Sequence, residues 1–186
     1  MHNFGLVGYG KWGKVLSESL NLVGKLIFIS NTKKTYKNQK KIDYCFIATP
    51  DNTHFRIVKY FFKKNIPIFC EKPLSRNFLE SKKLIKLSKK NKTQLFINHI
   101  ELFEKKKIKI KKINNIIRKK KSNNSIKDVL WKLCYHDLYL LYDYLKNKKL
   151  KINLIFLKSK SLKFSIDDGN RKYIFCYDYQ SQKKIH

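Results

Sequence analysis

The feature that most constrains this chain is the run Gly8-Tyr9-Gly10-Lys11-Trp12-Gly13. It lies between an apolar strand pattern, Asn3 to Val7, and a helical one, Trp12 to Val23, with Val15, Leu16, Leu20 and Val23 apolar. Glycines at G-x-G-x-x-G spacing, where a strand turns into a helix, each answer a steric demand. Gly8 is expected to make the tight turn, Gly10 to let the backbone approach a pyrophosphate, and Gly13 to let helix and strand pack closely. The helix that follows offers free N–H groups and a positive dipole end to that anion. A tight turn with no ligand is the competing reading, but it would not require all three glycines. Tyr9 and Trp12 read as core or as lids over a cofactor, with Trp12 assigned to the core.

Further strands are expected at Leu26 to Ser30, Ile42 to Ala48, Ile66 to Cys70 and Gln94 to Asn98, each a nearly continuous apolar run suited to a sheet buried on both faces. A helix over Thr53 to Lys64 carries Ile57, Val58, Phe61 and Phe62 on one side, with Asp51 or Asn52 as its N-cap. A second helix, Phe78 to Lys90, opens with Asn77-x-x-Glu80, the spacing of a capping box. This alternation predicts an α/β fold, a Rossmann-type doubly wound parallel sheet over residues 1–98. Only Asn31 to Lys41 separates strands two and three, so the usual second helix shrinks to a turn or two. Beyond residue 98 the reading is a basic amphipathic helix in Lys105 to Lys121, a loop at Lys121 to Ser125 and a helix from Asp128 to Leu145. Strands follow at Lys151 to Leu157, Leu162 to Ile166 and Arg171 to Tyr179, the last two joined by a hairpin turn at Asp167-Asp168-Gly169-Asn170. Residues 99–186 are thus expected to form a small, truncated α+β domain for substrate or dimerisation.

Charge must be weighed beside this fold. The 186 residues hold 43 Lys+Arg against 13 Asp+Glu, a net +30 that would ordinarily suggest a nucleic-acid partner. Yet lysines occur in every segment, the arginines are only Arg56, Arg76, Arg118 and Arg171, and Ala48 is the lone alanine. That pattern reads as compositional bias, and no specific nucleic acid is expected. No apolar run reaches the roughly eighteen residues of a membrane span, and no signal peptide is visible, so the expected setting is soluble and cytoplasmic. Cys45, Cys70, Cys134 and Cys176 are dispersed and read as reduced core residues, without a metal.

The second strand ends in Ser30-Asn31-Thr32-Lys33-Lys34, where a NAD-selective site would place an acid on the ribose 2′-hydroxyl. None is there, so NAD(P) is the expected cofactor with NADP slightly favoured. Strand three ends in Ala48-Thr49-Pro50-Asp51-Asn52-Thr53-His54 and strand four in Glu71-Lys72-Pro73, both at carboxyl ends where ligands bind in this architecture. With the glycine turn, these segments resemble the glucose-fructose oxidoreductase/inositol dehydrogenase/MocA (Gfo/Idh/MocA) family of NAD(P)-dependent oxidoreductases. The resemblance implies hydride transfer between a nicotinamide and a carbon alcohol of a sugar, nucleotide sugar or cyclitol. It implies cofactor contacts from Gly8, Tyr9, Gly10, Lys11, Trp12, Gly13, Ser30, Asn31, Thr49, Pro50, His54, Glu71 and Lys72. His54 also reads as a residue that caps or packs the helix after strand three.

Asn98-His99 with Phe103, and Leu130-Trp131-Lys132-Leu133-Cys134-Tyr135-His136-Asp137-Leu138, extend the resemblance into the second half. By it Lys72 and His136 are catalytic, Lys72 holding the substrate hydroxyl and His136 taking its proton. Lys132 departs from the family's aspartate and is expected one helical turn from His136 on the same face, while Tyr135 replaces a proline. Asp137 is expected to bond a backbone N–H across the domain interface. These departures, with the short second domain, keep open a second reading: a catalytically decayed dinucleotide-binding subunit. An apolar face on Leu154, Phe156, Phe164, Ile174 and Cys176 makes a homo-oligomer through the C-terminal sheet the expected assembly.

Overall fold

The computed structural model describes residues 1–31, 35–37, 41–99, 114–119 and 129–179, with Lys132 and Asp143 described by backbone alone. The chain divides into two compact units, Met1–Ile100 and Glu101–His186. In the first, strands β1 (Asn3–Val7), β2 (Lys25–Ser30), β3 (Tyr44–Ile47), β4 (Ile68–Glu71) and β5 (Leu95–Asn98) form one sheet in the order β2-β1-β3-β4-β5. Every pairing is parallel. Helices α1 (Lys11–Val23), α2 (His54–Phe62) and α3 (Phe78–Lys90) connect them. The expected doubly wound architecture is what the chain forms.

Burial explains the elements. On α2, His54, Ile57, Val58, Phe61 and Phe62 are all buried, and the four apolar ones pack with Val7, Cys45, Ile47, Ile68, Cys70 and Leu84. Each such aliphatic or aromatic side chain contributes about 1.5–3 kcal/mol on leaving water. On α1 the buried face is Gly13, Ser17 and Leu20, whereas Val15 and Val23 are exposed. The expected face is therefore rotated, because Gly13 must sit against β1 and the helix turns to let it. The cap of α2 also differs: Asp51–Thr53 winds as a 3-10 turn and Thr53 stands at the N-cap without a side-chain capping bond to the helix, so neither Asp51 nor Asn52 caps it. For α3, Asn77 Oδ1 accepts from Leu79 N at 2.8 Å and Glu80 N at 3.3 Å. The reciprocal half runs through a relay, with Asn77 N donating to Ser75 Oγ and that hydroxyl donating to the Glu80 carboxylate.

In the second unit, strands β6 (Asn115–Lys119), β7 (Lys151–Leu157), β8 (Ser161–Asp167) and β9 (Lys172–Asp178) form a sheet in the order β6-β9-β8-β7. β7, β8 and β9 are an antiparallel meander, and β6 runs parallel to β9. Strand β6 corrects the basic helix expected in Lys105 to Lys121; the rest of that segment, with the Lys121 to Ser125 loop and Phe103, lies outside the described residues. Residues 115–119 carry β-branched isoleucines, and pairing along β9 outweighs their short helical spacing. Helix α4 (Tyr135–Leu145) follows a π-wound turn, Leu130–Cys134, where a continuous α-helix was expected. Val129, Cys134, Leu141 and Leu145 pack on Leu162, Phe164, Ile166, Tyr173, Phe175 and Tyr177. Asp168 closes the β8–β9 hairpin by accepting from Asn170 N and Arg171 N, and Gly169 takes φ +86° there.

The apolar face expected on the C-terminal sheet is split. Phe164 stacks on Phe175 in the core, and Leu154 pairs with Phe164, while Phe156 pairs with Lys163 and so lies on the other face with Cys176. A register shift between Leu154 and Phe156 breaks the two-residue alternation that the expectation assumed. Among the described residues no helix is long and apolar enough to cross a membrane.

Candidate functional site: a cleft at the sheet's switch point

In the order β2-β1-β3-β4-β5, connections leave β1 and β3 toward opposite sides, and a crevice opens between their carboxyl ends. A cleft of about 550 Å³ lies there, lined by Val7, Gly8, Tyr9 and Gly10 after β1, Ser30 and Asn31 after β2, and Ala48, Thr49 and Pro50 after β3. Tyr36, Thr53, Arg56 and Ile57 complete the lining.

Each glycine has a distinct steric reason. Gly8 adopts φ +103°, and a Cβ there would stand 2.5 Å from the Ala48 carbonyl oxygen. At Gly13 a Cβ would stand 2.1 Å from the Gly8 carbonyl oxygen, so α1 can start here only without a side chain. At Gly10 a Cβ would meet nothing within 4 Å. Packing therefore does not demand glycine at position 10. What a side chain would occupy is open cleft in front of the first turn of α1. That turn has no side-chain cap and no acidic residue in it, so no side chain of its own takes its backbone N–H groups. A cradle that is empty of side chain and rimmed by helix N–H groups fits a dinucleotide pyrophosphate.

The expected contact residues thus divide into groups. Gly8, Tyr9, Gly10, Ser30, Asn31, Thr49 and Pro50 line the cleft; Gly13 supports it from beneath. Lys11 and Trp12 start α1, and Trp12 is 50% exposed, which corrects its assignment to the core. Thr32, Lys33 and Lys34 lie outside the described residues. Glu71 and Lys72 stand at the end of β4; Asn98 Nδ2 donates to Glu71 Oε1 at 2.7 Å, and the Lys72–Pro73 bond is cis. His54, 1% exposed, lies behind the cleft with Nδ1 2.8 Å from the Pro73 carbonyl and Nε2 2.9 Å from the Thr49 carbonyl. It does not cap α2; it joins two loops. Tyr36 and Arg56 were not anticipated. The scarcity of arginine and a position one turn after Thr53 on α2 were the signals that could have singled out Arg56.

In the second unit, His136 is half-buried at the start of α4. Its neighbour Asp137 is 3% exposed and accepts from Arg118 Nε at 2.8 Å and Nη2 at 2.5 Å, and from the Tyr177 hydroxyl at 3.0 Å. This corrects the expected backbone bond: a guanidinium and a phenol satisfy the carboxylate. Burial pushes the Tyr177 hydroxyl far up from its ordinary value and lifts the Cys134 thiol to about 12. Lys132 belongs to the π-wound turn that precedes α4.

Comparison with known proteins gives the same direction. Residues 25–99 match the model of an oxidoreductase family with an NAD-binding Rossmann fold, GFO_IDH_MocA. The rhizopine catabolism protein MocA of Rhizobium meliloti is 29% identical over 119 residues, 53% of this chain and 38% of that protein. A myo-inositol 2-dehydrogenase of Thermotoga maritima is 25% identical over 129 residues, 58% of this chain and 39% of that protein. The matched part therefore spans well under half of either relative. Among solved structures, a UDP-N-acetylglucosamine 3-dehydrogenase of Acidithiobacillus ferrooxidans superposes with a TM-score of 0.79 at 16% identity, over 98% of this chain and 71% of that one. At that identity the likeness shows the fold.

Proposed function

From a chain that carries the NAD-binding Rossmann domain of the Gfo/Idh/MocA oxidoreductases, we propose an NAD(P)-dependent oxidoreductase acting on a carbon alcohol of a sugar, nucleotide sugar or cyclitol. The observation that carries this reading is Gly10: a glycine that packing does not require, at the mouth of a switch-point cleft, in front of an uncapped helix start. Gly8, Gly10 and the first turn of α1 would hold the pyrophosphate. Ser30 and Asn31 would face the adenosine ribose, and Thr49, Pro50 and Glu71 the nicotinamide half. When bound, the nicotinamide supplies the acceptor or donor of the hydride.

The chain's own part is to orient and to move a proton. Lys72, at the carboxyl end of β4, would hold the substrate hydroxyl and stabilise its developing negative charge. His136, in its neutral form, would accept the hydroxyl proton as the carbon loses hydride. With no acid at Ser30 or Asn31, a 2′-phosphate meets no like charge there, which supports NADPH binding at least as well as NADH. A second reading, a dinucleotide-binding subunit without turnover, is favoured by the Lys132 position, where the family it resembles carries a carboxylate. Assaying NADPH and NADH oxidation and NADP and NAD reduction with a panel of sugars, nucleotide sugars and cyclitols separates the two. Turnover that His136→Asn abolishes supports the enzyme; tight cofactor binding with no turnover on any of them supports the subunit.

A further inference from the structure

The switch-point cleft continues beyond Arg56. A second cavity of about 500 Å³ shares Tyr36 and Arg56 with it and is otherwise lined by Lys37, Lys59, Tyr60 and Lys63. Along α2 and its C-cap, Arg56, Lys59, Tyr60 and Lys63 recur at steps of three and four, so they form one stripe opposite the buried Ile57, Val58, Phe61 and Phe62. Tyr36 brings the connection after β2 against that stripe, its ring centroid 5.2 Å from that of Tyr60 and 5.9 Å from that of Phe61. Because only residues 31–43 join β2 to β3, α2 itself walls the side of the cleft that Ser30 and Asn31 border. We propose that Arg56, backed by Lys59 and Lys63, binds the 2′-phosphate of NADP(H), so that α2 sets the preference between the two dinucleotides. This rests on the cofactor reading above.

Charge and chemistry select that group. The described lining of the second cavity holds the cations Lys37, Arg56, Lys59 and Lys63 and no acid, and α2 contains no acid either. Lysine is too common in this chain for the three lysines to carry the argument. The arginine carries it. Arg76 and Arg118 each pair with an aspartate, whereas Arg56, at the seam of the two cavities, makes no hydrogen bond or ion pair with any described residue. Its planar fork suits bidentate contact with a phosphate. A phosphate monoester carries close to two negative charges at neutral pH. The adenosine of NADH brings no anion to this end, since its pyrophosphate would lie at the first turn of α1.

Isothermal titration of NADPH and NADH into the full chain, as wild type, Arg56→Gln, Arg56→Lys and Lys86→Gln, reads the proposal as a ratio of affinities. Arg56 is exposed, so its replacement spares the buried face of α2. The wild type is expected to favour NADPH by about tenfold or more, the scale of one hydrogen bond to a charged group. Arg56→Gln should lower that ratio about tenfold, and Arg56→Lys by less, because it keeps the charge and loses the fork. Lys86→Gln removes one charge from the exposed side of α3 and should leave the ratio unchanged. Equal losses of NADPH and NADH affinity in Arg56→Gln overturn the proposal, as does an equal fall of the ratio in Lys86→Gln, which would assign the preference to the overall charge. A wild type that prefers NADH overturns it too and leaves the dinucleotide site standing. Failure of both dinucleotides to bind overturns the cofactor reading itself.

Discussion

At the scale of single residues, the glycines of the first turn separate into Gly8 and Gly13, where packing leaves no room for a Cβ, and Gly10, which only the proposed ligand would need. Gly13→Ala puts a methyl 2.1 Å from the Gly8 carbonyl, so α1 must shift from β1. It should lower stability by about 1–3 kcal/mol, the usual cost of overpacking, as read by urea denaturation. At Gly10 a Cβ meets no described atom within 4 Å, so in Gly10→Val unfolding should change little, yet dinucleotide affinity should fall by at least tenfold because the side chain enters the cradle. Equal loss of stability in both variants would contradict this division. The spacing of the three glycines was legible in the sequence because each sits at a fixed offset from a strand end. The environment of His54 was not, because it depends on Pro73, which is 19 residues away and brought in by β4.

Among elements, the parallel strands were readable because burial on both faces makes them continuous apolar runs, whereas β6 was not. Asn115–Lys119 gains its strand conformation from pairing with β9, a partner about 60 residues on that local spacing cannot see. The faces of α1 and of β7 were misjudged for related reasons: Gly13 dictates the roll of the helix, and the register shift after Leu154 inverts the strand. The β8–β9 hairpin carries its own pH dependence. Lys148 Nζ reaches Asp168 Oδ2 at 2.5 Å and, with backbone N–H groups of the turn, holds that carboxyl down to about 2. A depressed carboxyl stabilises the fold above its ordinary range near 3.8, and the contribution fades as pH falls toward 2. Lys148→Met should therefore narrow the difference in thermal midpoint between pH 6 and pH 3; an unchanged difference would show that the pair does not contribute.

For the whole molecule, the +30 charge is spread too evenly to mark a partner, and the exposed apolar surface is more telling. On β7, an edge strand among the described residues, Ile152 is 66% and Leu154 62% exposed, and Leu157 is 58%. Such an edge can pair with a second copy; on the expectation of a homo-oligomer, light scattering after size exclusion should show a dimer that Leu154→Lys converts to monomer, and a monomeric wild type would remove the expectation. The central claim, however, belongs to the first unit: its switch-point cleft is a dinucleotide site. Isothermal titration of NADPH and NADH into the wild type and Gly10→Val measures it most directly. The account predicts saturable binding by the wild type, NADPH at least as tight as NADH, and a loss of at least tenfold in Gly10→Val. No binding by the wild type, or identical binding by the variant, would contradict it.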